Sequence, residues 1–429
     1  MAEAKRIGVD GYNLALERGT GVATYGHNLQ HAARLLGHEV DGIYGVPAAQ
    51  SNVAVLREIA LVDTSATRSS RLRTSIRRLR AAFGTAKAEP IRMTGQVIMD
   101  PNTSRRFPRF DTIWNAPDLF VASRLHFGYF GRRQPVEIDG KIDVMHWTYP
   151  LPLELKGAAN VYTLHDLVPL RLPYTTLDNK RYYYRLTKML TDTADHILTV
   201  SETSRRDIID LFGVDEKRVT NTYQVAAIPA ALTRKTADEV AQEVSGIFGL
   251  EYQNYYMFFG AIEPKKNVGR LIQAYLTASG EVNAPLVLVG SKAWKADQEL
   301  RLLRSATLEQ RRRVRVIEYA PFALLVSLIR GSRAVVFPSI YEGFGLPVLE
   351  AMQLGVPVIT SGVGSLKEVA GDAARFVDPY DVDSIYKAMR DVDGSPSLRS
   401  ELAAAGLKRA EFFSMASYQE RLRDLYARL

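Results

Sequence analysis

The chain has 429 residues, 46% of them hydrophobic, which suits two or three domains with sizeable cores. It has no cysteine, which excludes a disulfide, a thiolate metal site and a cysteine nucleophile. A net charge of +8 attracts nucleic acid, anionic lipid or phosphorylated substrates without choosing among them.

No run approaches about 18 consecutive apolar residues, so no transmembrane helix is expected. The opening MAEAKRIGVDGYNL lacks the apolar centre of a signal peptide. A cytoplasmic protein is the expectation.

Arg6-Ile7-Gly8-Val9-Asp10 reads as a short strand. Gly19-Thr20-Gly21-Val22-Ala23-Thr24-Tyr25 then opens an amphipathic helix to about Leu36. A glycine loop between strand and helix is a phosphate-cradle arrangement, and equally an ordinary strand-to-helix turn. From Arg68 to Arg80 the chain carries Arg68, Arg71, Arg73, Arg77, Arg78 and Arg80 with no acidic residue. Leu72, Ile76, Leu79 and Phe83 share one helical face between those arginines. Three readings stand: a helix lying on an anionic membrane surface, a nucleic-acid patch, or a docked helix with a solvated basic face. No recognised nucleic-acid module surrounds it, and no nucleic-acid partner is expected.

Residues 111–150 are loop-rich and aromatic, and most of those rings are expected to cap the core. Val161-Tyr162-Thr163-Leu164 is a strand pattern with His165-Asp166 just past its end. Groups at that end of a parallel strand face the ligand crevice of an open α/β sheet. A Tyr-rich helix follows over about 177–192, and His196–Val200 is another strand, with serines at 201 and 204 as N-cap candidates. Residues 224–253 read as a linker plus a helix, which puts a domain boundary near 225.

The second half restarts at Tyr255–Phe259, a strand, followed by Gly260-Ala261-Ile262-Glu263-Pro264-Lys265-Lys266-Asn267 and a helix over Val268–Thr277. Lysines before a helix start make an anion site, where an ammonium supplies a point charge for a diphosphate. The most informative run is Ala334–Gly362, AVVFPSIYEGFGLPVLEAMQLGVPVITSG. It reads as strand, glycine loop, helix from about Leu346 with Pro347 in its first turn, and strand again. Glu342 lies in the loop and Glu350 in the helix. One loop carboxylate, one helix carboxylate and an anion cradle suit a nucleotide sugar.

Glu342-Gly343-Phe344-Gly345-Leu346-Pro347 followed by Glu350-Ala351-Met352 resembles the Glu-x7-Glu motif of retaining GT-B glycosyltransferases of family 4. Gly362-Val363-Gly364-Ser365 and Glu368-Val369-Ala370-Gly371 continue that pattern. The resemblance implies an α/β GT-B fold, two Rossmann-like domains facing a cleft. Its N-terminal, acceptor-binding domain would span 1–224 with a basic insert at about 61–110. Its donor-binding domain would span 225–410, and a last helix at 411–429 would return to the first domain.

The resemblance also assigns roles. Glu342 and the groups of Gly343, Phe344, Gly345 and Leu346 would hold the donor sugar, and Glu350 the ribose. Lys266 would bind the donor phosphates. Ala261 stands where many members have arginine, so Lys265 is the candidate to share that charge. His165 would sit beside the donor sugar, and Gly21, with Gly19 and Thr20, would line the cleft. Arg71, Arg77 and Arg78 would face acceptor or membrane. The expected activity is metal-independent transfer of a hexose to a glycan or lipid-linked acceptor, at the inner face of the plasma membrane. No cofactor is expected beyond the nucleotide-diphosphate sugar. The subgroup features resemble mannosyl- and deoxyhexosyltransferases of bacterial surface-polysaccharide assembly, with a GDP-linked donor as first reading. Alternatives are a UDP-sugar-dependent transferase, an epimerase or phosphorylase on the same fold, and a non-catalytic membrane-associated scaffold.

Overall fold

The structure, a computed structural model, describes residues 4–16, 21–47, 51, 53–63, 71–277 and 281–429. Gly19, Thr20 and Arg68 lie outside the described residues. Parallel strands covered on both faces are apolar without alternation. Tyr256–Phe259, Leu286–Val289 and Ala334–Phe337 fit that rule, each buried at every position.

Two sheets result. The first, of ten strands, has a parallel centre that runs Val219–Asn221, His196–Thr199, Ala159–Thr163, Val144–Trp147, Arg6–Asp10, Glu39–Tyr44 and Ile113–Asn115. Its strand order reverses between Arg6–Asp10 and Val144–Trp147, which pair with Ile7 opposite Val144. Ala86–Ile91 adds antiparallel to Ile113–Asn115. The second sheet has six parallel strands: Val314–Ile317, Leu286–Val289, Tyr256–Phe259, Ala334–Phe337, Val358–Ser361 and Arg375–Val377. Its order reverses between Tyr256–Phe259 and Ala334–Phe337. Ligands of open α/β sheets bind at such reversals, outside the carboxyl ends of the strands.

The last helix, Met415–Tyr426, packs on helix Gly21–Leu35 of the first sheet. Its Tyr426 hydroxyl lies 3.0 Å from Nδ1 of the buried His146, and the Tyr426 carbonyl accepts from Lys5 Nζ at 2.6 Å. Before the crossing, Phe412 and Phe413 pack edge-on against Tyr223. Helix Glu202–Phe212 has the expected cap: Ser201 Oγ accepts from Ser204 N at 3.0 Å. A carboxylate from the other half adds to it. Glu368 accepts from Glu202 N at 2.7 Å and from Thr203 N at 3.1 Å. A negative charge on the first backbone N–H groups of a helix is favourable, and here it ties the two sheets together.

The arginine-rich segment folds as helix Arg71–Ala82, packed on helix Leu119–Phe130. The side chain of Arg71 lies outside the described residues. Arg77 and Arg78 are not a free basic face. Both guanidiniums hold the buried Asp118, at 2.5 and 3.0 Å. Ile76, Leu79 and Phe83 stay exposed, and the Phe83 ring lies 5.5 Å from both the Tyr129 ring, tilted, and the Phe130 ring, edge-on. Of the other aromatic residues in 111–150, Trp114, His126, Phe127, His146 and Trp147 are buried, as a core-capping role requires. Among the described residues no helix is long and apolar enough to cross a membrane.

Candidate functional site

The two loops leaving the reversal of the second sheet carry the charged groups. After Phe259 the chain makes a short helical turn over Pro264–Lys266, which Asn267 ends in the left-handed region. Asparagine tolerates that conformation. Its amide donates to the Pro338 carbonyl at 3.0 Å and to the Pro379 carbonyl at 2.6 Å. Asn267 thus fastens the lysine loop to the loop that follows Phe337. The Lys265 carbonyl completes the seam by accepting from Ile340 N at 2.8 Å.

Lys266 Nζ therefore meets Glu342 Oε1 at 2.6 Å, and Lys265 Nζ lies 3.9 Å from the other carboxylate oxygen. Lys265 also reaches Glu263 at 3.7 Å. Burial pushes the Glu342 carboxyl up, but Lys266 and Lys265 outweigh it and hold the group below its ordinary value. Glu342 is thus a buried carboxylate kept ionised. Burial lowers the Lys265 ammonium, yet Glu342, Asp166 and Glu263 together raise it above its ordinary value. Two lysines are thus set against Glu342, Glu263 and the nearby Asp166, a closely balanced network at the end of the second sheet.

Glycine shapes the next step. A Cβ on Gly343 would stand 2.6 Å from the His165 carbonyl oxygen and 3.1 Å from Asp166 Oδ2. Only glycine lets the Glu342 loop approach the first sheet that closely. Gly345, at φ +108°, turns the chain into helix Leu346–Gln353. The contact is reinforced by Ser204 Oγ, which donates to the His165 carbonyl at 2.8 Å. Tyr341 bonds Asp207 across the same boundary. Phe344 is buried against Phe413 and serves packing. Leu346 reaches across the cleft, its Cδ1 3.9 Å from where a Gly21 Cβ would be.

Glu350 sits on the helix that Gly345 starts. Among the described residues it has no ion pair and no side-chain hydrogen bond, and burial pushes its carboxyl up to about 7. The two glutamates of the motif are thus opposite cases: one neutralised by lysines, one desolvated and unpaired. His165 lies at the carboxyl end of its strand, and its Nε2 donates to the Thr148 carbonyl at 2.9 Å. That bond leaves Nδ1 as the acceptor. Burial lowers the imidazole below its ordinary value, against smaller opposing effects of Thr148 and Asp166, so the ring is neutral. Tyr25 packs edge-on against it at 4.9 Å.

The structure thus brings Glu342, Lys266, Lys265, Gly343, His165 and Gly21 to one cleft, with Glu350 on helix Leu346–Gln353. Arg77 and Arg78 belong to a separate face. Asn267, Tyr25, Asp10 and Glu368 were given no role by the sequence, because what they do depends on partners far along the chain. Among the described residues no group of three or more His, Asp or Glu converges as a metal site.

Comparison with known proteins agrees with this geometry. Residues 19–223 match Glycosyltransferase Family 4 and residues 243–409 match Glycosyl transferases group 1. The chain is 38% identical over 267 residues to O-antigen chain mannosyltransferase B of Escherichia coli, covering 62% of this chain and 68% of that protein. It is 29% identical over 296 residues to O-antigen chain mannosyltransferase RfbU of Salmonella typhimurium, covering 69% and 74%. The crystal structure of Anabaena Alr3699/HepE in complex with UDP-glucose superposes with a TM-score of 0.66 at 12% identity, over 99% of this chain and all of that one. That likeness establishes the GT-B architecture, and with the sequence matches it makes this chain a member of the group 1, family 4 glycosyltransferases.

Proposed function

We propose that the chain is a retaining, metal-independent hexosyltransferase of surface-polysaccharide synthesis. It moves mannose, or a related deoxyhexose, from a GDP-linked donor to a glycan or lipid-linked oligosaccharide. The mannose and O-antigen parts of this reading rest on the relatives' names. The transfer part rests on one observation, the Lys266–Glu342–Lys265 cluster in the loop that meets the His165 carbonyl, with the unpaired Glu350 on the helix that follows.

In this reading the diphosphate lies against Lys266, Lys265 and the start of helix Leu346–Gln353, whose N–H groups favour an anion. Glu342, held ionised, accepts hydroxyl hydrogens from the donor sugar. Glu350 accepts both ribose hydroxyls. Neutral His165 orients the sugar from the other domain. The acceptor oxygen bonds to the anomeric carbon as its bond to the phosphate oxygen breaks. The acceptor proton passes to that leaving oxygen on the same face, so configuration is retained without a protein base. Lysines and helix dipoles stabilise the charge that develops on the phosphate.

The membrane part of the reading rests on Phe83, Tyr129 and Phe130, an exposed aromatic cluster with Arg132 over the Phe130 ring. Such a face suits the interface of an anionic membrane.

Three outcomes are expected. First, a donor screen that reads released nucleoside diphosphate should find acceptor-dependent release. Glu342→Gln, which keeps a hydrogen bond to Lys266, should cut turnover about a hundredfold while the melting temperature holds. Near-normal turnover in that variant would sink the assignment. Second, affinity for the intact nucleotide sugar should rise with pH through about 7, as Glu350 ionises. Glu350 is destabilising when ionised in the unliganded fold: its raised value means that stability falls as pH rises from 4.5, the ordinary value, to about 7 and levels off above that. Donor binding should offset that loss, and Glu350→Gln should flatten both profiles. A pH-independent affinity in the parent would contradict the ribose role. Third, vesicles containing phosphatidylglycerol should co-sediment the protein, and a Phe83→Ser/Phe130→Ser variant should lose about tenfold in bound fraction. Substituting Arg77 and Arg78 is the poorer test, since it strands buried Asp118 at about 3–5 kcal/mol. Unchanged binding by the phenylalanine variant would remove this face from the account.

A further inference from the structure

The charged loops of the second sheet occupy its reversal point. The first sheet has a reversal of its own, between Arg6–Asp10 and Val144–Trp147, and the reading above gives it no ligand. The loops leaving these two strands carry Tyr12 and Tyr149, each partly exposed, with ring centroids 5.6 Å apart and planes tilted by 31°.

Their placement is fixed by one buried carboxylate. Asp10 Oδ1 accepts from Tyr12 N at 3.1 Å, and Oδ2 accepts from Thr148 N. Asp10 is wholly buried and, among the described residues, has no cation partner. A buried carboxylate spent on two loop amides holds both loops in one geometry. Thr148 is also the residue whose carbonyl anchors His165. Tyr149 therefore stands one residue from the anchor of the cleft histidine.

The surroundings are those of a sugar shelf. Phe120 supports Tyr12 edge-on at 5.1 Å, and Arg124 lies over the Tyr12 ring and bonds its hydroxyl. Asn13, only 7% exposed, has an amide nitrogen with no hydrogen-bond partner. A buried amide without a partner is costly, and a ligand hydroxyl there removes the cost. Asp166 uses Oδ1 to accept from Val168 N at 2.9 Å, while its carboxylate borders Gly343 of the donor loop. The shelf thus runs from Tyr12 to the edge of the donor site.

We propose that Tyr12 and Tyr149 form the platform on which the terminal sugar of the acceptor stacks, with the Asn13 amide and the Asp166 carboxylate taking its hydroxyls. Of the charged groups around Tyr149, Asp178 and Asp166 outnumber Arg124, whose guanidinium is taken by the Tyr12 hydroxyl, so the shelf favours a neutral hexose over a uronic acid or a phosphosugar. This inference rests on the transferase reading and adds the acceptor class to it.

The test measures binding rather than turnover. Methyl mannobioside, and its counterpart oxidised to a uronate at the terminal residue, are titrated by saturation-transfer NMR. Affinities for GDP and UDP are measured in parallel. The parent should bind the neutral disaccharide at least about tenfold better than the uronate. Tyr12→Ala and Tyr149→Ala should each weaken the neutral disaccharide about tenfold, Tyr149→Phe should retain it, and nucleotide affinity should stay within about twofold. Asp166→Asn, which keeps the cap on Val168, should narrow the preference against the uronate. The shelf is overturned if Tyr149→Ala binds the disaccharide like the parent, if it loses nucleotide affinity in equal measure, or if the parent binds nucleotide but not disaccharide. A parent that binds neither nucleotide overturns the transferase reading instead.

Discussion

The ion pair between Lys266 and Glu342 is the constraint on which the cleft depends. It joins two loops that leave neighbouring strands of the second sheet, and it places the only wholly ionised buried carboxylate of the motif where Gly343 meets the His165 carbonyl. The pair is stable because Lys265 adds charge and Asn267 fixes the backbone of both loops. Without the lysines Glu342 would take the fate of Glu350, desolvated and drawn toward neutrality. Group 1 transferases act on a nucleotide-sugar donor and a glycan acceptor. In the function proposed for this chain the donor half of that work falls to those two loops.

The cleft also depends on contacts between the sheets. Glu368 caps helix Glu202–Phe212 from the other domain, Ser204 bonds the His165 carbonyl, and the terminal helix returns to seat Tyr426 on His146. Tyr25 links the last of these to the site. Its hydroxyl lies 2.9 Å from Thr163 Oγ1 and 3.3 Å from His146 Nε2, and its ring abuts His165. The orientation of His165 is thus set partly by a helix about 250 residues further along the chain.

Much of this was legible in the sequence, for physical reasons. The strand–loop–helix unit at 334–354 announces itself through an unbroken apolar run, two glycines and a proline at the helix start, and the structure has strand Ala334–Phe337 and helix Leu346–Gln353 there. The lysine loop was legible by the same punctuation, with helix Val268–Thr277 following it. What could not be read was pairing across distance. Nothing local to Arg77 and Arg78 points to Asp118, and nothing local to Asp10 says that it will clamp the loops of Tyr12 and Thr148. Ala86–Ile91 was missed because it carries charged residues and Pro90, a poor strand signal; it pairs with Ile113–Asn115 over 89–91 and with Gln134–Ile138 over 86–88, so at Pro90 only one side is paired.

The most direct test of the central claim is a crystal structure of the protein with an intact nucleotide sugar, grown in the presence of a chelator. The account predicts the diphosphate within hydrogen-bonding distance of Lys266, the ribose hydroxyls on Glu350 and the sugar between Glu342 and His165. A donor bound with its diphosphate away from Lys266, or with its ribose away from Glu350, would contradict it.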